Sequence, residues 1–245
     1  MADDALHALV TGDEGRGWAA VGRVDLGDGA FCTGALIAPD LVLTAAHCLF
    51  SARTGAMIDA DQISFLAGWR NGSAIAYRGA RRAVVPSGYR YEEADRLERI
   101  AYDLALIELD QPIRLPSVQP FALAVQPRMG AEVGVVSYAR DRAEAPSLQS
   151  VCTVMQREGT ISMLSCEADF GASGAPVFAT SGGVAQIVSV VSAMADADGK
   201  RVSLAVSVAG VAALRAVLDQ GQVGTAGLVP GGRLAATTGA KFVRP

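Results

Sequence analysis

Only two imidazoles, His7 and His47, occur in the 245 residues, and this scarcity limits the chemistry open to the chain. A serine hydroxyl becomes a nucleophile when a base stands beside it and a carboxylate orients that base. Ser173, in the stretch CEADFGASGAPVF (residues 166–178), lies between two glycines and follows both histidines. The chain order serine, acid, histidine is therefore closed to it, and the elbow G-x-S-x-G fails because position 175 is alanine. The orders histidine–acid–serine and acid–histidine–serine survive. His47 ends the β-type run LVLTAAHCLF beside Cys48, whereas His7 sits in an unpatterned N-terminal segment. Asp103 opens DLALIEL, in which Leu104, Ala105, Leu106 and Ile107 are apolar on both strand faces. An acid leading straight into a buried strand must be paired or hydrogen-bonded to stay charged, and a histidine Nδ1–H is a suitable partner. Gly171 has no side chain to obstruct its amide, so the N–H groups of Gly171 and Ser173 are candidate oxyanion donors. Each residue taken singly also has an ordinary reading: a core histidine, an exposed acid at a strand start, a turn serine.

The elements that must position these groups read as short β-runs punctuated by turns, the pattern of an all-β barrel or sandwich. Turns are expected at Asp28-Gly29, Pro39-Asp40, Ser181-Gly182-Gly183 and Asp198-Gly199. Two segments read as helical. YEEADRLERI offers Glu92/Arg96 and Asp95/Arg99 as i,i+4 pairs on a solvated surface turn. In VAALRAVLDQG, Val211, Leu214 and Leu218 share a face and Gly221 is a stop. The Pro-containing stretch 112–127 marks a break near the midpoint, and residues 221–245 form a Gly/Ala/Thr-rich tail.

Composition narrows the class further. Apolar residues make up 51% and charged ones 19%, which is globular rather than disordered. A net charge of −4 and a pI near 5.2 argue against nucleic acid or an anionic membrane surface as partner. No apolar run approaches the length of a membrane span. Cys32, Cys48, Cys152 and Cys166 form no C-x-x-C pair, and with two histidines a metal site is poorly supplied. Two disulfides in an oxidising compartment fit better, with three connectivities open. MADDALHALV is too charged for a signal peptide, so a mature chain behind an added Met1 is expected.

Taken together and in order, TAAHC, DLALIEL and GASGAPV resemble the three signature stretches of the chymotrypsin-like (trypsin-type) serine peptidases. The resemblance implies an all-β fold of two packed six-stranded antiparallel β-barrels with a C-terminal helix and a cleft between the barrels. It places the first barrel at 18–118, the second at 119–220 and a tail at 221–245. It implies His47 as base, Asp103 as its orienting acid, Ser173 as nucleophile, no cofactor or metal, and a protein or peptide substrate outside the cell or in the periplasm. It also implies disulfides Cys32–Cys48 and Cys152–Cys166, the latter closer to bacterial members such as the glutamyl endopeptidases. VVSAM (190–194) resembles the family's substrate-flanking strand, with Ser192 near Asp103 and with Ala193 and Met194 on the cleft wall.

Two positions qualify the resemblance. Glu167 stands where the family places the base of its primary specificity pocket, where an acid would favour Arg or Lys; the loop differs from that of digestive trypsins, with Phe170 as a bulky neighbour, and a solvated charge after Cys166 is the other reading. Ala172 stands where zymogen-activated members carry an Asp that pairs with a newly cut N-terminal amine. Alanine cannot form that pair, so activation by the N-terminus is not expected. The competing reading is a proteolytically silent member that uses the cleft for binding or scaffolding.

Overall fold

The computed structural model describes residues 6–27, 29–167, 169–197, 199–221, 224–226 and 241–242. The strands are β1 (His7–Ala8), β2 (Val21–Asp25), β3 (Phe31–Ala38), β4 (Leu41–Thr44), β5 (Ser64–Ala67) and β6 (Ala76–Pro86). Helix α1 (Arg96–Ala101) precedes β7 (Ala105–Leu109). The second half carries β8 (Glu132–Ala139), β9 (Arg142–Glu158), β10 (Ile161–Leu164), β11 (Pro176–Ser181), β12 (Val184–Ala197) and β13 (Lys200–Ser207). Helix α2 (Val211–Asp219) and two short strands, β14 (Gly224–Ala226) and β15 (Lys241–Phe242), complete the order.

These strands form two closed antiparallel barrels of six. The first runs β6-β5-β2-β3-β4-β7 and closes where β7 returns to β6; the second runs β9-β10-β13-β12-β11-β8 and closes where β8 meets β9. Closure means that neither ring ends in an edge strand of the kind a half-buried sheet otherwise has to protect. The short strands lie outside the rings: β1 on β9, β14 parallel to β6, and β15 on β12 at Ala195 and Asp196. One apolar core is continuous from Val21, Leu36 and Leu106 of the first barrel to Val136, Phe178 and Val190 of the second. Trp18 and Phe121 meet the Phe178 ring edge-on at 4.9 and 4.7 Å. The expected all-β architecture with a C-terminal helix is therefore what the chain adopts.

Helix α2 follows its sequence pattern: Val211, Leu214 and Leu218 are buried and Gly221 ends it at φ +72°. Pro39-Asp40 and Gly182-Gly183 turn between paired strands, while Asp28 and Asp198 lie outside the described residues. The first helical segment departs from expectation. The helix begins only at Arg96, because the Asp95 carboxylate caps it by accepting from the amides of Leu97 (3.0 Å) and Glu98 (3.3 Å). Glu92 thus precedes the helix, and Asp95 and Arg99 are engaged separately, the carboxylate by the helix cap and Arg99 Nη1 by the Tyr91 carbonyl at 3.2 Å. Nor is α1 a solvated turn. Ile100 is buried in a cluster with Met163, Ala195, Val202 and Leu204, which docks α1 on the second barrel.

Candidate functional site

Strand register brings the histidine and the acid together. β4 pairs with β7 so that Thr44 faces Ala105, which places the residues just after β4 beside those just before β7. His47 sits there in a 3₁₀ turn, Ala46–Leu49, and the Cys32–Cys48 disulfide fastens this turn to β3. Asp103, only 3% exposed, precedes β7. Its Oδ1 accepts from the His47 backbone N–H at 2.8 Å, and its Oδ2 accepts from His47 Nδ1 at 2.7 Å and from the Ser192 hydroxyl. A buried carboxylate costs free energy unless it is satisfied, and here three donors satisfy it. Because a carboxylate only accepts, Nδ1 carries the proton and Nε2 is left with a lone pair.

Ser173 reaches the same cleft from the second barrel. Its loop is held from the first barrel by Thr33 of β3, whose N–H donates to the Ser173 carbonyl (2.8 Å) and whose hydroxyl donates to the Gly171 carbonyl (2.8 Å). The amide of Gly174 donates to Val191, and those of Ala172 and Ala175 close turns onto Asp169 and Ala172. Two glycines in the loop are sterically required. Gly171 has φ +97°, and a Cβ there would meet the Phe31 ring at 2.6 Å. Gly174 has φ +78°, and its Cβ would meet Thr44 Oγ1 at 2.1 Å and the Thr33 carbonyl at 2.3 Å. The Phe170 carbonyl accepts from the Arg140 amide at 2.7 Å, so it is turned away from the loop's own N–H groups. Ala172 is buried in the second barrel's apolar cluster, which also holds Cys152, joined to Cys166. A carboxylate in its place would be desolvated without a partner.

His47, Asp103, Ser173, Gly171, Phe170, Ser192, Ala193 and Met194 all line one cleft of about 400 Å³. Glu167 does not: it is exposed, is not among the cleft-lining residues, and its amide donates to Gln149 Oε1 at 2.9 Å. Asp169 lines the cleft instead, with Arg201 Nη1 3.7 Å away. Phe50 and Tyr91, stacked with ring centroids 5.4 Å apart, form part of the wall. Tyr89 packs against Phe50, and burial, reinforced by the Asp103 charge, pushes its phenol far above the usual range. The sulfurs of Cys32 and Cys48 lie near His47, but as a disulfide they supply no thiolate for a metal.

Three contributors escape a reading of the sequence: Thr33, Arg96 and Arg99. Thr33 is one threonine in a β-run, and nothing local marks it as the clamp on a loop 140 residues away. Arg96 and Arg99 are recognisable as helical surface residues, but only the docking of α1 turns them toward the cleft.

β12 offers a further feature. β13 pairs with it throughout this region, whereas β11 covers its other side only as far as Val190. That second side is unpaired among the described residues from Ser192 to Met194, beside Ser173, until β15 joins at Ala195. An extended peptide could add there as a strand.

Comparison with known proteins agrees with this geometry. The model of the Trypsin family matches residues 10–214. Glutamyl endopeptidase of Bacillus licheniformis is 27% identical over 150 residues, 60% of this chain and 45% of that protein. The modular serine protease of Drosophila melanogaster is 36% identical over 93 residues, 36% of this chain and 14% of that protein. The matches thus span less than half the length of these curated relatives. Among solved structures, a Glu endopeptidase in complex with MPD superposes with a TM-score of 0.70 at 20% identity, covering 91% of this chain and 98% of that one. That likeness shows the chymotrypsin-like fold. With a family match over most of its length, two closed barrels and a cleft between them, the chain belongs to the trypsin family.

Proposed function

We propose that this protein is a serine endopeptidase in which Ser173, His47 and Asp103 form the catalytic triad. The observation that carries the reading is the triply satisfied Asp103, which fixes the His47 tautomer on the cleft that Ser173 lines. Ser173 Oγ attacks the peptide carbonyl carbon as its proton passes to His47 Nε2, and the amides of Gly171 and Ser173 hold the oxyanion. The imidazolium then protonates the departing amine, leaving an ester on Ser173. Water, deprotonated by His47, cleaves that ester and releases the acid product. The open edge of β12 at Ser192–Met194 holds the half of the substrate that becomes the acyl group.

Activity requires no new N-terminus. Ala172 lacks a carboxylate, and the N-terminal segment is committed elsewhere: β1 pairs with Ser147 and Leu148, and the Leu9 amide donates to Pro146. The silent-scaffold alternative needs a collapsed oxyanion loop, in which the Phe170 carbonyl would consume the Ser173 amide. That carbonyl is instead occupied by Arg140, and among the described residues no acceptor takes the amides of Gly171 and Ser173. The two disulfides favour an oxidising, extracellular or periplasmic setting.

A fluorophosphonate probe tests the proposal. Wild type should be labelled and Ser173→Ala should not, with kcat for a peptide substrate falling by roughly 10⁶ in that variant. Absence of labelling from pH 6 to 9 would favour the silent protein.

A further inference from the structure

The open edge of β12 is bounded by a strand of this same chain. β15 pairs antiparallel with β12, Phe242 against Ala195 and Lys241 against Asp196. β13 pairs with the opposite side of β12 at the same residues, so β15 lies on the side that is unpaired from Ser192 to Met194. The direction of this pairing carries the argument. In an antiparallel pair one strand advances as the other recedes, so β15 is heading along β12 toward Met194 and Ser192 where it ends. Ser173 stands at that end of the edge, because the residues after it are bonded there: the Gly174 N–H donates to the Val191 carbonyl (2.8 Å) and the Val191 N–H donates to the Ala175 carbonyl (2.9 Å). The acyl half of a peptide substrate has to reach Ser173 with its C-terminal end. It therefore runs along the edge from Met194 toward Ser192. β15 points down the same track in the same direction, and stops beside Ala195, immediately before the track begins.

We propose that the segment following Phe242 continues β15 onto the open edge of β12, so that the chain's own tail occupies the acyl-side track in cis and competes with substrate. The competition rests on the peptidase reading above; the docking does not. Kept in register, Val243 lies across from Met194 and Arg244 across from Ala193. The register is carried no further, because β12 shifts against β13 between Val191 and Ala193. An open edge offers main-chain N–H and C=O groups, which bind an added strand with little regard to its side chains. Phe242 and Val243 are residue types suited to a strand. Residues 227–240 tether β15 to β14 on the first barrel, so the encounter is intramolecular. Tethering of this kind supplies an effective concentration on the order of millimolar, at which even a contact of a few residues is partly occupied. Pro245 has no N–H to give to a ladder, which helps keep the segment displaceable.

The test compares the full chain with a variant ending at Ala240 and with the double variant Phe242→Pro, Val243→Pro. Successive amides point to opposite sides of a strand, so one of the two prolines removes a donor that faces β12. A cis competitor keeps a fraction of the molecules closed, so losing it lowers KM and leaves kcat unchanged. Both variants should show a KM for a peptide ester about threefold below that of the full chain, the change that occupancy of about two-thirds produces. A synthetic peptide of residues 239–245 should raise the KM of the truncated variant competitively, and the same peptide with both prolines should not. Docking is read apart from catalysis by anisotropy of the fluorescein-labelled peptide. It should bind the truncated chain carrying Ser173→Ala, and bind the full-length Ser173→Ala chain about threefold more weakly. Thermal unfolding checks that each variant folds. Unchanged KM in both variants, or equal binding of the peptide to both chains, overturns the inference. A KM difference that vanishes on dilution of the full chain makes a second copy's tail the occupant and overturns the cis assignment. Docking of the peptide without labelling or cleavage by any variant would overturn the peptidase reading and leave the docking standing; cleavage with unchanged KM and no docking would do the reverse.

Discussion

Replacing Asp103 by asparagine tests the reasoning at its centre, because the change keeps shape and burial while removing one charge. The amide oxygen can still accept the backbone N–H of His47, now 2.8 Å from Oδ1. The other side-chain atom becomes an NH₂ facing His47 Nδ1, where Oδ2 now accepts at 2.7 Å. A donor in that place favours the tautomer with Nδ1 bare and Nε2 protonated, so the ring can no longer accept the Ser173 proton. The variant also loses stabilisation of the imidazolium. With Nδ1 and Oδ2 in hydrogen-bond contact, the charge centres lie about 4 Å apart, worth about 4 kcal/mol at an effective dielectric constant of 20. That alone is about 10³ in rate, and the wrong tautomer takes the expected loss in kcat toward 10⁴ at neutral pH. The assay is the pseudo-first-order rate of fluorophosphonate labelling together with kcat/KM on a peptide ester, with thermal unfolding as a control. Removing a buried charge while keeping its neighbours should leave the fold intact. Labelling within tenfold of wild type, in a folded variant, would refute the claim that Asp103 sets the state of His47.

Two further outcomes follow from buried groups elsewhere. The bridges Cys32–Cys48 and Cys152–Cys166 span 16 and 14 residues, so replacing either pair by alanine should lower the unfolding free energy by about 3 kcal/mol in urea titration. The first pair should also cost activity, since the His47 turn hangs on it, and thiol titration should find no free thiol before reduction and four after. The phenols of Tyr89 and Tyr138 are pushed far up, chiefly by burial, so neither should ionise with the exposed tyrosines in an absorbance titration near 295 nm. Unfolding releases them to ionise near pH 10, where the unfolded state holds fewer protons than the native one. Stability should therefore fall as pH rises through and beyond 10, and early ionisation of all five tyrosines in the folded protein would contradict the burial.

Much of the fold was written in local pattern. The apolar run after Asp103 and the turn residues at Pro39-Asp40 announced β-strands, and Val211, Leu214 and Leu218 announced a helix, because burial on one face leaves a period in the sequence. The segment YEEADRLERI misled for a physical reason. Its charges fit a solvated helix equally well whether or not Ile100 docks, and a capping aspartate looks the same in sequence as one available for an ion pair. Glu167 illustrates the complementary limit: its position relative to Ser173 is a matter of counting, but whether its side chain reaches the cleft depends on a loop path that spacing does not encode.

By itself, then, the sequence determined which residues were available for chemistry: so few histidines and one glycine-flanked serine leave little choice of base and nucleophile. Tertiary structure decided which of these residues meet. The β4–β7 register sets His47 against Asp103, and Thr33 reaches from one barrel to hold the Ser173 loop of the other. It also decided which charged residues line the cleft, because docking α1 on the second barrel brings two arginines to the cleft while Glu167 stays in solvent. Such contacts join residues many tens of positions apart, so they follow from the closure of two barrels and their shared core rather than from any local pattern.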